Sequence, residues 1–251
     1  MIKRELYMNR IRPFIGGELI KVMTGIRRSG KSVMLELIKE ELAEAGVAPS
    51  QMISINFEDM RYSHLQTATA LHDEIIKRAE GIEGKAYLFF DEIQEVEGWE
   101  KCVNSLRVAL DCDIYITGSN AKLLSGELAT YIGGRYVEFV IYPFSFAEFL
   151  ELYHTIAPSD SIQQCFQKYL LAGGMPYLAN LRYEEEPSRQ YLTDLFNSVQ
   201  LKDIVKRNKI RDIDLLERII AYMTANVGTV FSASSLAKFF KNEQRTVAAE
   251  T

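Results

Sequence analysis

Apolar and polar residues alternate in blocks along the first half of the chain, and the blocks read in turn as strand, loop and helix. Leu19 to Thr24 is a short apolar run and Gly25 to Gly30 a loop. A helix opens near Lys31, with Met34, Leu35, Ile38 and Leu42 along one stripe. Met52 to Phe57 reads as a second strand and Leu65 to Ala79 as a helix. Ala86 to Phe90, a third strand, is apolar throughout, the pattern of a strand covered on both faces. Trp99, Val103, Leu106 and Leu110 share a helix face. Ile114 to Thr117 is a fourth strand, Lys122 to Thr130 a helix and Tyr136 to Tyr142 a fifth strand. Such alternation predicts an α/β fold built on a mainly parallel five-stranded sheet with helices on both sides.

After Pro143 the pattern turns helical. Ser145 and Glu148 have capping-box spacing, and Phe146, Phe149, Leu150 and Tyr153 then share a face. Ile162, Cys165, Phe166, Tyr169 and Leu170 mark another amphipathic helix, stopped by Gly173-Gly174 with Pro176 beyond. Glu184 to Ser188 reads as a polar connection before a helix from Tyr191 to Val205. Ile213, Leu216, Ile220 and Met223 line a further helix, Ser234 to Phe240 is a short one, and Thr246 can cap one more. The expected division is a core over 1–143, a helical lid or linker over 144–210 and the start of another domain over 211–251. Thr251 falls one turn into the last helix, so a longer natural chain is expected.

Composition narrows the class. Among 251 residues, Lys and Arg number 29 against 34 Asp and Glu, a net charge of -5, which argues against a globally basic nucleic-acid binder but allows a local patch. Cys102, Cys112 and Cys165 lack metal-ligand spacing, and no signal peptide follows Met1. Reduced thiols and a cytoplasmic location are expected. The apolar runs are strand-sized, so no membrane span is expected.

The chemistry concentrates in Gly25-Ile26-Arg27-Arg28-Ser29-Gly30-Lys31-Ser32, which fits G-x-x-x-x-G-K-[ST] between an apolar strand and an amphipathic helix. Glycines let such a backbone curl until its N–H groups face phosphate oxygens, and the following helix adds positive potential. Lys31 then reaches the β and γ phosphates and the Ser32 hydroxyl ligates Mg²⁺; Val33 closes the binding stretch. Phe89-Phe90-Asp91-Glu92 ends a buried strand. There Asp91 can hold Mg²⁺ and Glu92 can orient or deprotonate the attacking water, the alternative being a solvated strand exit. A GTPase switch would place Gly two residues after the Asp, and Asn208-Lys209-Ile210-Arg211-Asp212 misses the spacing of a guanine reader, so the expected nucleotide is ATP.

Thr117-Gly118-Ser119-Asn120 ends the fourth strand. Ser119, or second Asn120, would touch the γ-phosphate or the water if that strand lies between the loop strand and the Asp91 strand; an N-cap is the competing role. Arg135, after Gly133-Gly134, could stabilise charge at a phosphate, including one bound by a neighbouring subunit, or be an ordinary surface arginine.

Gly25 to Ser32, Asp91-Glu92-Ile93-Gln94, Ile116-Thr117-Gly118-Ser119, Gly134-Arg135-Tyr136, Tyr142-Pro143-Phe144-Ser145 and Gly173-Gly174-Met175-Pro176 occur in this order. Together they resemble the AAA-superfamily P-loop ATPases of bacteria and archaea, over nearly the whole chain. The resemblance implies a sheet with the loop strand central, Asp91 and Glu92 in the Walker B roles, Ser119 as sensor and Arg135 as a candidate arginine finger acting within a homo-oligomer. It also implies that a winged helix starts near Asp212 and that a nuclease-like domain often follows.

The leading expectation is an ATPase that couples Mg²⁺-dependent hydrolysis to a conformational change. Its action on DNA would use Lys202, Lys206, Arg207, Lys209 and Arg211, which a solvated helix face explains equally well. The alternative is a non-hydrolysing ATP-dependent switch that signals through a partner protein. A kinase ranks last for want of an acceptor motif.

Overall fold

The computed structural model describes residues 2–118, 132–199, 205, 210, 212–230 and 232–242. The chain divides into two compact units, Met1–Leu192 and Thr193–Thr251.

The first unit is built on five parallel strands, β1 (Ile20–Thr24), β2 (Met52–Asn56), β3 (Ala86–Asp91), β4 (Cys112–Thr117) and β5 (Tyr136–Val140). Their order is β2-β3-β4-β1-β5. The loop strand β1 is therefore interior, as expected, but the middle strand is β4. Helices α1 (Glu5–Ile11), α2 (Lys31–Glu44), α3 (Ala68–Ala79) and α4 (Trp99–Ala109) cover the sheet.

Alternation along the strands sorts the core into two layers, because successive side chains leave opposite faces. Ile20, Val22, Leu88, Phe90, Ile114 and Ile116 pack with Leu71 and Ile75 of α3 and with Trp99, Val103 and Leu106 of α4. Met23, Phe89, Tyr115 and Phe139 pack with Tyr7, Met8 and Ile11 of α1 and with Met34, Leu35 and Ile38 of α2. Phe89 and Tyr115 stack across neighbouring strands with ring centroids 4.8 Å apart. Lys21 shares that second face and is fully buried, where its ammonium contacts Asp113. The same carboxylate accepts from the Tyr115 hydroxyl and the Gly16 N–H, each at 2.7 Å. Burial, and after it the neighbouring Lys85, pushes the Lys21 ammonium down to about 7.

Beyond β5 come α5 (Phe146–Tyr153), α6 (Ile162–Ala172) and α7 (Glu185–Val199). The capping box is present: the Ser145 hydroxyl accepts from the Glu148 N–H, and the Glu148 carboxylate accepts from the Ser145 N–H. The segment Glu184 to Ser188 differs from expectation, since it supplies the first turn of α7. Glu185 and Glu186 suit the positive end of a helix, and Pro187 sits where a backbone N–H has no intrahelical partner. In the second unit, α8 (Ile213–Ala225) and α9 (Ala233–Asn242) meet through Tyr222 and Phe239, 4.7 Å between centroids. The predicted helix over 122–130 and the Thr246 cap lie outside the described residues.

Cys102, Cys112 and Cys165 are unpaired and buried. Among the described residues no helix is long and apolar enough to cross a membrane.

Candidate functional site

Four neighbouring strands end on a polar residue: Thr24 of β1, Asn56 of β2, Asp91 of β3 and Thr117 of β4. Because all strands run parallel, these residues lie at one edge of the sheet, the carboxyl edge where open α/β folds gather ligands. β4 does lie between β1 and β3, the condition on which a polar group after Thr117 would face the loop.

The loop after β1 needs glycine at its first position. Gly25 has φ 144°, and a Cβ there would stand 2.2 Å from the carbonyl oxygen of Ile141, just past β5. The strand end and the loop thus approach closer than any side chain permits. Gly30 (φ 100°) and Arg28 (φ 63°) are also left-handed, which winds the loop before α2 begins at Lys31. Ile26 and Arg28 are exposed, Arg27 is half-buried and Ser29 is buried. Ser32 and Val33 lie exposed on the first turn of α2, whose N–H groups and dipole face the loop. The Lys31 ammonium turns back over the loop, donating to the Gly25 carbonyl at 3.3 Å and the Ile26 carbonyl at 3.2 Å. It stands 3.8 Å from Glu92 Oε1.

Asp91 is held from two sides. Thr117 donates its hydroxyl to one carboxylate oxygen, and Asn56 Nδ2 donates to the other at 3.2 Å. The Thr117 oxygen also accepts the Glu92 N–H at 3.0 Å, which secures Glu92 in a left-handed conformation of φ 55°. Gln94 donates its amide to the Glu92 carboxylate. Thr117 and Asn56 did not emerge as site residues from the sequence. The signal that could have found them is the polar residue closing an otherwise buried strand.

An exposed hydroxyl at Ser32 and a fixed carboxylate at Asp91 are hard oxygen donors of the kind Mg²⁺ prefers, and the donor set fits that ion. Among the described residues no cluster of three or more His, Cys, Asp or Glu side chains forms a dedicated metal cage.

Arg135 lies at the opposite edge of the sheet. Its carbonyl accepts from the N–H of Ile20, the first residue of β1, and its guanidinium donates to Asn104 Oδ1 of α4 at 2.7 Å. Five residue steps along β1 separate Ile20 from Gly25, about 16 Å at strand rise and beyond the reach of an arginine side chain. Ser119 and Asn120 lie outside the described residues, as do Lys202, Lys206, Arg207, Lys209 and Arg211.

A family model described as an AAA domain matches residues 18–150, and another, described as a domain of unknown function, matches residues 163–250. The chain is 38% identical over 245 residues to an uncharacterized protein of Haemophilus influenzae, covering 97% of this chain and 60% of that one. It is 32% identical over 236 residues to an uncharacterized protein of Methanocaldococcus jannaschii, covering 89% of this chain and 51% of that one. The chain thus spans roughly half to three-fifths of the length of these curated relatives. Among solved structures it is similar to AMPPCP-bound DnaA from Aquifex aeolicus, at 13% identity and a TM-score of 0.49, over 92% of this chain and 72% of that one. It is also similar to a RuvB mutant from Thermotoga maritima, at 15% identity and a TM-score of 0.45, over 99% and 82% of the two chains.

Proposed function

The chain belongs to the AAA-domain family, and on that premise we propose that it binds ATP with Mg²⁺ on the loop Gly25–Ser32 and hydrolyses it to drive a conformational change. The observation that carries the proposal is the convergence at one sheet edge. The Lys31 ammonium stands 3.8 Å from the Glu92 carboxylate, and Asp91 beside it is fixed by Thr117 and Asn56.

Each part then has a role. The amides of residues 25–33 surround the phosphates, and Lys31 neutralises the β and γ oxygens. Ser32 and Asp91 hold Mg²⁺, which when bound spreads the charge developing on the transferred phosphoryl group. Glu92 takes a proton from the attacking water, and the Thr117 bond to its N–H fixes where that carboxylate begins. Ser119 or Asn120 senses the γ-phosphate. Arg135, too far from its own loop, serves the nucleotide of a neighbouring copy in a homo-oligomer.

The division into a core at 1–143, a helical segment at 144–210 and a winged-helix start at 211–251 belongs to the same proposal. So does action on DNA, which rests on the basic run from Lys202 to Arg211 and calls for retention that weakens as salt rises. The deciding experiment measures ATP binding with Mg²⁺ and phosphate release by the same protein. Binding with turnover supports the ATPase, and binding without turnover, with candidate DNA present, turns the reading to the partner-signalling switch. Failure to bind ATP removes both.

A further inference from the structure

Arg4, upstream of α1, is only 3% exposed although it carries a full charge. Its guanidinium is engaged on every edge. Nε donates to Glu148 Oε1 at 2.8 Å, Nη2 to the Tyr142 carbonyl at 2.8 Å, and Nη1 to the Ser29 carbonyl at 3.0 Å. The Tyr7 and Phe144 rings lie 4.6 and 5.1 Å from its central carbon. Burying such an ion pair costs desolvation that the attraction between the charges repays only with excellent geometry, so overall stability is a poor reason for it.

The bond to Ser29 supplies a better one. A phosphate-binding loop turns N–H groups toward the anion, which turns the carbonyls of the same peptide units outward. In a planar trans peptide the C=O and the next N–H point in opposite directions, so fixing the Ser29 carbonyl also fixes the Gly30 N–H. Ser29 is wholly buried, and a buried carbonyl must find a donor. Arg4 is that donor. Gly30 leaves room for it, since a Cβ there would come within 3.3 Å of Arg4 Nη1.

We propose that Arg4 is a positioning residue of the nucleotide site, its guanidinium orienting the Ser29–Gly30 peptide so that the Gly30 N–H faces the phosphates. Glu148 and the Tyr142 carbonyl hold the guanidinium in place, which brings the N-terminal segment and the start of α5 into the site. The inference rests on reading Gly25–Ser32 as a triphosphate loop.

The test is titration of the purified chain with a fluorescent ATP analogue and Mg²⁺, with displacement by inorganic pyrophosphate. Arg4→Met is expected to weaken both ligands by a common factor of about tenfold, the scale of one charge-assisted hydrogen bond. Arg4→Lys, whose single ammonium cannot serve all three acceptors, is expected to lose about threefold and stands in should Arg4→Met not fold. Unchanged affinity in a folded variant overturns the inference while leaving the ATP reading intact. A loss confined to the ATP analogue and absent for pyrophosphate overturns it too, because the effect would then lie on the nucleoside side. A wild-type chain that binds neither ligand removes this inference together with the reading beneath it.

Discussion

Lys31 Nζ lies 3.8 Å from Glu92 Oε1, although the first belongs to the loop after β1 and the second follows β3, with β4 between those strands. On the proposed reading this pair divides the work of hydrolysis: Lys31 draws the phosphate in and Glu92 activates water.

That division separates two substitutions. Lys31→Ala is expected to abolish measurable ATP binding, since the loop loses the ammonium that the proposal places on the β and γ oxygens. Glu92→Gln keeps the size of the side chain and removes its basicity. ATP binding should stay within about twofold of wild type while phosphate release falls by about a hundredfold or more, the scale of a lost general base. Calorimetry and a phosphate-release assay decide the matter; equal loss of binding in both variants would contradict the assignment.

Thr117 gives a finer test, because one hydroxyl serves both neighbouring carboxylate residues. It donates to Asp91 and accepts the Glu92 N–H. Thr117→Val preserves shape and deletes the hydroxyl, leaving a buried acceptor and a backbone donor without partners, at a cost of about 1–3 kcal/mol in unfolding free energy. Hydrolysis should fall more steeply than ATP affinity, and Thr117→Ser should recover most of both. A Val variant with wild-type turnover would show that Glu92 is oriented by something else.

The loop was legible because its signal is local: spacing, glycines and an apolar strand before them fall within one short window. The strands were legible for the same reason, and the structure moves their ends by only a residue or two. Asn56 and Thr117 were not, because what matters in them is a contact across strands, and it depends on the order β2-β3-β4-β1-β5. Arg4 was further out of reach, since its acceptors lie 25, 138 and 144 residues away. Helix α1 was missed because seven residues give too short a run for its buried Tyr7, Met8 and Ile11 to stand out as a period. The start of α7 was misread because helix-favouring acidic residues in a first turn look like a polar loop.

Two glycines carry steric predictions. A Cβ at Gly25 would stand 2.2 Å from the Ile141 oxygen, and one at Gly174 would stand 2.0 Å from the Phe144 oxygen. Both obstacles are backbone and cannot swing aside. Gly25→Ala and Gly174→Ala should each cost more than about 3 kcal/mol or fail to yield folded protein. Gly46→Ala is the control: it has φ 92° and nothing within 4 Å, so it carries only the left-handed penalty of about 1–2 kcal/mol. Denaturant midpoints measured together should keep that ranking.

Glu148 carries a pH prediction. Burial alone would raise its carboxyl, but hydrogen bonds from Arg4 and Ser145 outweigh burial and hold it below the ordinary 4.5. The folded chain therefore binds this proton less readily than the unfolded one. The stabilisation is complete above the ordinary value and is lost as pH falls through the lowered one. Stability of wild type relative to Glu148→Gln should thus shrink as urea unfolding is repeated from pH about 6 down to about 3. A gap that stays constant over that range would mean that the charge on Glu148 is immaterial.

The last prediction follows from the position of Arg135. Its carbonyl bonds the first residue of β1 while the phosphate loop follows the last, so the guanidinium sits at the far edge of the sheet, paired with Asn104. Within one chain, then, Arg135 has no route to a phosphate on Lys31. If it contributes to hydrolysis, it must do so from another copy. Arg135→Ala should bind ATP normally and hydrolyse it about a thousandfold more slowly, the lower end of what a missing arginine finger costs. Turnover per chain in the wild type should rise with protein concentration as copies assemble. Mixing Arg135→Ala with Lys31→Ala should restore part of the activity, because an interface between them pairs an intact loop with an intact arginine. Full activity in Arg135→Ala would return the residue to the ordinary surface, and activity lost in both parents without recovery on mixing would rule out supply from a neighbour.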